Sequence, residues 1–272
     1  MQVYCIIGDE RVSHAKSPAI FSALLKRLGI KGAYVPFKVA PHQIGQALHS
    51  IKVLNIAGAN VAVPYKEAVI PHLDILSEGA NIIGAINTII CKGNELKGYN
   101  TNAIGFMDSL HDVGFDADGK SALVFGTGGV AKAVVFILNW MRTESIIVAG
   151  RDAEKTRQIV NRFSGEAQSI DALSNRPLAV NIVVNATSVS SYDESPEMAA
   201  MIERLEVQDC ELVLDLNYGR SQNFWRDMAL RNDIPFMDGL STLAHQIKRT
   251  FFLWTGIQVP PEEFLKVINA NL

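Results

Sequence analysis

Short apolar runs alternate with stretches of helical period along almost the whole chain. Residues 3–8 read as a buried strand. Ser17-Pro18 then starts a helix that Gly29 ends, with proline in the first turn and glycine just past the last. The pattern next predicts a strand over 33–39, a helix over 41–54 and a strand over 57–63. Pro64 opens a further predicted helix carrying Tyr65, Lys66 and Glu67. Residues 86–91 and 95–99 flank Lys92-Gly93-Asn94 as a hairpin. A helix leads from Thr101 toward Gly114, and 116–120 is polar and turn-rich, suited to a linker. Beyond it come a strand over 121–125, a glycine loop and a helix over 130–141. Strands over 145–149, 180–185 and 212–216 follow, with helices between them. The last predicted elements, 242–254 and 261–272, are helical. Such alternation predicts an α/β fold with parallel sheets. A strand-free helical tail suggests that the chain returns to pack on its first lobe.

Length and composition narrow the picture. At roughly 100–200 residues per domain, 272 residues suit two lobes. Hydrophobic residues make up 48% and charged ones 19%, which excludes disorder as the main state. The net charge of -3 leaves neither a basic footprint for nucleic acid nor a polybasic face for a membrane. Cys5, Cys91 and Cys210 are far apart, with no C-x-x-C pair, so the chain is expected to be cytoplasmic and free of disulfide or zinc frameworks. Its histidines are scattered, and no metal-ligand cluster is visible.

The segment Ser121 to Ala131 reads strand, G-x-G-x-x-A, helix. Gly126 permits a tight turn, Gly128 lets backbone approach a pyrophosphate, and Ala131 is small enough for helix and strand to lie close. Thr127, Gly129 and Val130 complete the loop and helix start, whose free N–H groups attract phosphates. The next strand ends in Gly150-Arg151-Asp152 rather than in the acid that an NAD site commonly places there. Arg151 can stack on adenine and grip a 2′-phosphate, which favours NADP and leaves NAD use open. Asp152 is expected to cap the following helix.

Four clusters precede the glycine loop: His14-Ala15-Lys16-Ser17-Pro18, Gly58 through Glu67, Gly84-Ala85-Ile86-Asn87-Thr88, and Gly98 through Phe106. After it come Asn185-Ala186-Thr187-Ser188, Asp215 through Tyr218, and Asp238-Gly239-Leu240 with Gln246. In this order and spacing the chain closely resembles the shikimate dehydrogenase family, over nearly its full length. The resemblance implies an N-terminal α/β substrate-binding domain over 1–101, completed by C-terminal helices within 239–272. A Rossmann-like NADP-binding domain would occupy 102–238. It further implies reversible reduction of 3-dehydroshikimate to shikimate, a step of aromatic amino-acid (chorismate) biosynthesis. The implied partner is a cyclohexene carboxylate, with the oligomeric state open between monomer and homodimer.

By the matching motifs, Lys66 is the family's catalytic lysine, and a lysine suits the task because removal from water lowers its pKa toward working pH. Asn60 and Asn87 match amides that bind ring hydroxyls, since an amide donates and accepts at once. Ser17 matches a carboxylate-binding hydroxyl, and Tyr218 and Gln246 match further substrate contacts. Thr187 and Ser188 match a loop near the nicotinamide ribose, and Gly239 belongs with the cofactor residues.

Three positions depart from the family's pattern. Ala15 replaces the first of two carboxylate-binding serines, in a loop one residue longer, where Ser13 is a candidate substitute. Losing a hydrogen bond to a charged group would weaken carboxylate binding by roughly 10- to 100-fold. Ala62 stands where the family has threonine. Asn102 stands where the family has the aspartate paired with the lysine, placing about 10²–10⁴-fold of rate at stake. These departures keep two alternatives in view, a quinate/shikimate-type paralogue and a weakly active binding protein on the same scaffold. A dehydrogenase of the methylene-tetrahydrofolate type fits less well, because the segments 58–67 and 98–106 follow the shikimate pattern.

Overall fold

Two compact units make up the chain, Met1–Gly105 with Ala244–Leu272, and Phe106–Leu243. The structure, a computed structural model, describes residues 1–175 and 177–270; residues 271 and 272, which the pattern includes in the last helix, lie outside that set. The chain changes unit inside two helices, Thr101–Asp112 and Leu240–Thr255. A helix shared by two units has no composition shift at its midpoint, so these boundaries fall a few residues beyond those that the motifs suggest.

The first unit holds strands β1 (Gln2–Gly8), β2 (Gly32–Lys38), β3 (Gly58–Val61), β4 (Ile75–Leu76), β5 (Thr88–Lys92) and β6 (Glu95–Tyr99) in one sheet, ordered β2-β1-β3-β5-β6-β4. β1 runs parallel to β2 and β3, whereas β5 is antiparallel to both β3 and β6. The sheet is therefore mixed rather than purely parallel, because the hairpin at Gly93 reverses the chain. Both faces of β1 are buried, as its continuous apolar run requires. Cys5 and Ile7 join Leu48, Ala59, Val61 and Ile89 in one core. Tyr4, on the opposite face, stacks on Trp254 at 4.8 Å between ring centroids. The Trp254 indole N–H also donates to the Ile89 carbonyl at 3.0 Å, so the C-terminal helix Leu240–Thr255 is pinned to this sheet. Trp254→Ala is expected to cost about 3 kcal/mol, as for truncation of a large packed aromatic, measured as a lower midpoint in denaturant.

The second unit is built on β7 (Ser121–Phe125), β8 (Ser145–Gly150), β9 (Glu166–Ser169), β10 (Leu178–Ala179), β11 (Ile182–Asn185), β12 (Val207–Gln208), β13 (Leu212–Asp215) and β14 (Phe236–Asp238). Its six-stranded sheet runs β14-β13-β11-β7-β8-β9 with every pair parallel, while β10 and β12 pair separately. Leu123, Phe125, Val183, Val213, Trp225 and Met228 form its core. The chain steps from β7 outward to β8 on one side and to β11 on the other, which makes the β7 end a topological switch point. No helix of the described residues is long and apolar enough to cross a membrane.

One predicted helix is absent. Residues after Pro64 form successive turns and then the short 3-10 helix Ile70–His72. An α-helix would need the Lys66 carbonyl for the Ile70 N–H. That carbonyl instead accepts from Ile86 N at 2.7 Å, and Ile70 N turns to Glu67 O at 3.1 Å. A tertiary bond thus breaks the local ladder and leaves Lys66 on a turn. The predicted helix over 41–54 also begins as a 3-10 turn, Pro41–Gln43, before the α-helix Ile44–Val53.

Candidate functional site

In the first unit, the loop after β3 carries Lys66, the entry to β5 carries Asn87, and the helix Thr101–Asp112 opens with Thr101 and Asn102. Tyr65 is buried, and its hydroxyl donates to Val39 O at 2.6 Å, which anchors the turn and leaves Lys66 half-buried beside it. Burial lowers the Lys66 ammonium from 10.5 to about 8. Among the described residues it has neither an ion-pair nor a hydrogen-bond partner for its side chain.

A network of hydrogen bonds joins Asn60, Asn87 and Asn102. The Asn87 Oδ1 accepts from Thr101 N at 2.7 Å, and its Nδ2 donates to Thr101 Oγ1 at 2.9 Å and to Asn102 Oδ1 at 3.0 Å. The Asn60 Nδ2 donates to Asn87 O at 3.0 Å and to Thr88 Oγ1 at 3.2 Å, while its Oδ1 accepts from Tyr34 OH at 2.8 Å. Burial holds the Tyr34 phenol well above the usual range. Asn60 therefore has internal partners at both ends of its amide, and it braces Asn87 from behind. Three buried hydroxyls, Thr88, Thr101 and Thr250, lie within 3.0–3.2 Å of one another beneath that amide. Gln246 is one turn ahead of Thr250 on the same helix face, half-buried. Tyr34, Thr88, Thr101 and Thr250 were not singled out by sequence. Thr88 and Thr101 lie inside the quoted clusters without a role assigned to them, and nothing local marks Tyr34 or Thr250.

Of the departures, Ala15 follows the 3-10 helix Glu10–His14, on which Ser13 is exposed. Ala62 lies just past β3, its N–H donating to Ile7 O at 2.9 Å.

In the second unit, the glycine loop joins β7 to the helix Gly129–Trp140. Gly126 has φ +120°, and a Cβ there would come within 2.9 Å of Ala186 O, so no other residue fits. The segment after β11 thus packs directly on the loop. Gly128 is the N-cap and lacks a side-chain cap, and a Cβ on it would meet nothing within 4 Å. A helix start without a side-chain cap, at a glycine with space around it, fits a phosphate-bearing ligand. At Gly150 a Cβ would fall 2.5 Å from Thr127 Cγ2, so the end of β8 is drawn against the loop. Arg151 follows immediately, exposed and without a partner among the described residues. Asp152 caps the helix Ala153–Phe163, its carboxylate accepting from Glu154 N and Lys155 N at 3.1 Å each.

Buried Asp215, at the end of β13, organises the neighbouring loops. It accepts from Asn185 Nδ2 at 2.8 Å, Asn217 Nδ2 at 3.0 Å and Asn223 Nδ2 at 2.7 Å. Asn185 Oδ1 accepts from Thr187 N at 3.0 Å and Thr187 Oγ1 at 2.7 Å, which leaves Ser188 exposed beyond it. Gly239 N donates to Asn217 O at 2.9 Å, so its segment meets the one that leads to Tyr218. The Tyr218 ring is half-buried, and burial raises its phenol. Gly126, Thr187, Tyr218 and Gly239 all follow the C-terminal ends of parallel strands, where open α/β sheets bind ligands.

Residues 6–89 match the family model described as shikimate dehydrogenase substrate binding domain, and residues 110–221 match the one described as shikimate / quinate 5-dehydrogenase. The chain belongs to the shikimate dehydrogenase family. It is 36% identical to the shikimate dehydrogenase (NADP(+)) of Caldanaerobacter subterraneus subsp. tengcongensis, covering 94% of this chain and 92% of that protein. Among solved structures, shikimate dehydrogenase from Aquifex aeolicus superposes with a TM-score of 0.87 at 31% identity, covering 100% of this chain and 97% of that one. The Thermus thermophilus enzyme in complex with NADP(H) and shikimate gives 0.86 at 29% identity, with both chains fully covered. This member of the shikimate dehydrogenase family is thus an oxidoreductase, and its substrate-binding match falls within the unit that carries the Lys66, Asn87 and Asn102 side chains.

Proposed function

We propose that this chain catalyses the reversible, NADP-dependent reduction of 3-dehydroshikimate to shikimate. The observation that carries the reading is Lys66, a half-buried lysine without a paired charge, on the segment bonded to the residue preceding Asn87. When bound, NADPH supplies the hydride. Lys66 Nζ gives its proton to the carbonyl oxygen as the alcohol forms, and as the neutral amine takes the hydroxyl proton back in reverse. Asn87, held rigid by Asn60 and the three threonines, orients a ring hydroxyl. Ser17 and Gln246 are assigned to the substrate from the first unit. The N-terminal unit with its C-terminal helices serves as the substrate-binding domain, and the second unit as the NADP-binding one. The glycine loop with Val130 and Ala131 cradles the pyrophosphate, with Thr187, Ser188 and Gly239 beside the nicotinamide half.

Arg151 is assigned to the 2′-phosphate of NADP. Arg151→Ala is expected to raise the dissociation constant for NADP by roughly 10- to 100-fold, the scale of a hydrogen bond to a charged group. The constant for NAD should change far less. Equal losses for both dinucleotides in a binding titration would refute the assignment.

The functional reading is tested by following nicotinamide absorbance with NADP or NAD against shikimate and quinate. Turnover with shikimate and NADP is the expected result. Turnover confined to quinate would favour the paralogue reading. Asn102, which leaves Lys66 without a carboxylate partner, is the observation behind a binding protein of low activity; tight binding of shikimate without turnover would support it.

A further inference from the structure

The orientation of Asn102 follows from one backbone group. The Thr101 N–H can only donate, and it meets Asn87 Oδ1 at 2.7 Å. The other end of the Asn87 amide is therefore the NH₂, which donates to Asn102 at 3.0 Å. Asn102 must present its oxygen there, so its own NH₂ points away from Asn87. That Nδ2 is buried without a hydrogen-bond partner, on a side chain only 7% exposed.

A buried donor left unpaired is costly, and native proteins keep few such groups outside working sites. Aspartate at this position would accept from Asn87 with one oxygen and present the second as another acceptor. Asparagine keeps the first bond and reverses the second, from acceptor to donor. A hydroxyl meeting both this NH₂ and the Lys66 ammonium receives two donors and must aim its own proton elsewhere. A carbonyl has two lone pairs and no proton to place.

We propose that Asn102 Nδ2 is a specificity-determining donor that makes this site bind the oxo acid in preference to the corresponding hydroxy acid. The proposal rests on the functional reading above and adds which redox form of the substrate the pocket favours. Enzymes of this pattern with aspartate lack such a donor, so the preference belongs to this chain's own residue.

The test is calorimetric titration of 3-dehydroshikimate and shikimate into the full chain without dinucleotide, at neutral pH. The parent protein is expected to bind the oxo acid at least about tenfold more tightly, the scale of one unmatched hydrogen bond. Asn102→Asp should abolish or invert the ratio. Asn102→Leu, which removes the donor without adding charge, should bring it toward unity. A ratio near one in the parent overturns the proposal even if a variant fails to fold. So does an oxo-acid preference that Asn102→Asp and Asn102→Leu leave unchanged. Binding of neither acid would overturn the functional reading along with it, whereas binding of both at one affinity overturns this inference alone.

Discussion

Replacing Lys66 with methionine is expected to lower shikimate turnover by about 10²–10⁴-fold, the range for a positioned acid–base group, while stabilising the protein at neutral pH. Methionine keeps the length of the side chain and removes the charge. Burial moves the ammonium from 10.5 down to about 8, so between those values the unfolded chain holds a proton that the folded chain has lost. Stability therefore rises with pH through that window, and the penalty for the buried charge is present in full below pH about 8. The shift caps the gain at about 3 kcal/mol, and solvent screening at a half-buried group reduces the expected value to about 1 kcal/mol. Denaturant unfolding of parent and Lys66→Met at neutral and strongly alkaline pH measures it, and the advantage should shrink at the higher pH. A variant less stable than the parent at neutral pH would contradict the burial argument. The rates follow the same group. Reduction of 3-dehydroshikimate needs the ammonium and should fall above pH about 8, whereas oxidation of shikimate needs the amine and should rise toward it.

Asn102→Asp is expected to increase turnover with shikimate by at least about tenfold, and at most by the roughly 10²–10⁴-fold of a full acid–base group. One carboxylate oxygen would keep the bond from Asn87 Nδ2, now at 3.0 Å to Asn102. The other would accept from the substrate hydroxyl and supply the negative charge that Lys66 lacks. An opposite charge within about 4–6 Å favours the ammonium, so the pH profile should move to the alkaline side of its present position, and the gain in shikimate oxidation is read on its alkaline plateau, where Lys66 is the amine. The gain should appear in turnover rather than in NADP affinity, and Lys66→Ala in the same background should abolish it. Steady-state kinetics across pH, with NADP binding measured alongside, separates these outcomes. An unchanged rate and profile in a folded, NADP-binding variant would mean that position 102 does not act on Lys66.

Long apolar runs and punctuated helices were legible in the sequence because their signals are local. β1, β7, β8, the hairpin at Gly93 and the helices after Ser17, Gly128 and Asp152 depend on periodicity, turn residues and caps within a few positions. The glycine loop was legible for the same reason, since φ +120° at Gly126 tolerates little else. Order and spacing of the motifs carried the family, and with it Lys66, Asn87 and Asn102. The short strands β4, β9 and β14 were not legible, because each lies at a sheet edge and is two to four residues long, defined by its neighbour more than by its own pattern. Nor was the turn under Lys66, where a carbonyl is taken by Ile86 from a distant segment. Residue identity and motif order state which side chains are available for chemistry. How they are aimed depends on contacts across the fold: Asn60 inward as a brace, Thr250 from the far end of the chain beneath Asn87, and the Asn102 amide with its donor turned away. Each of those directions follows from hydrogen bonds between residues remote in sequence, which no local pattern records.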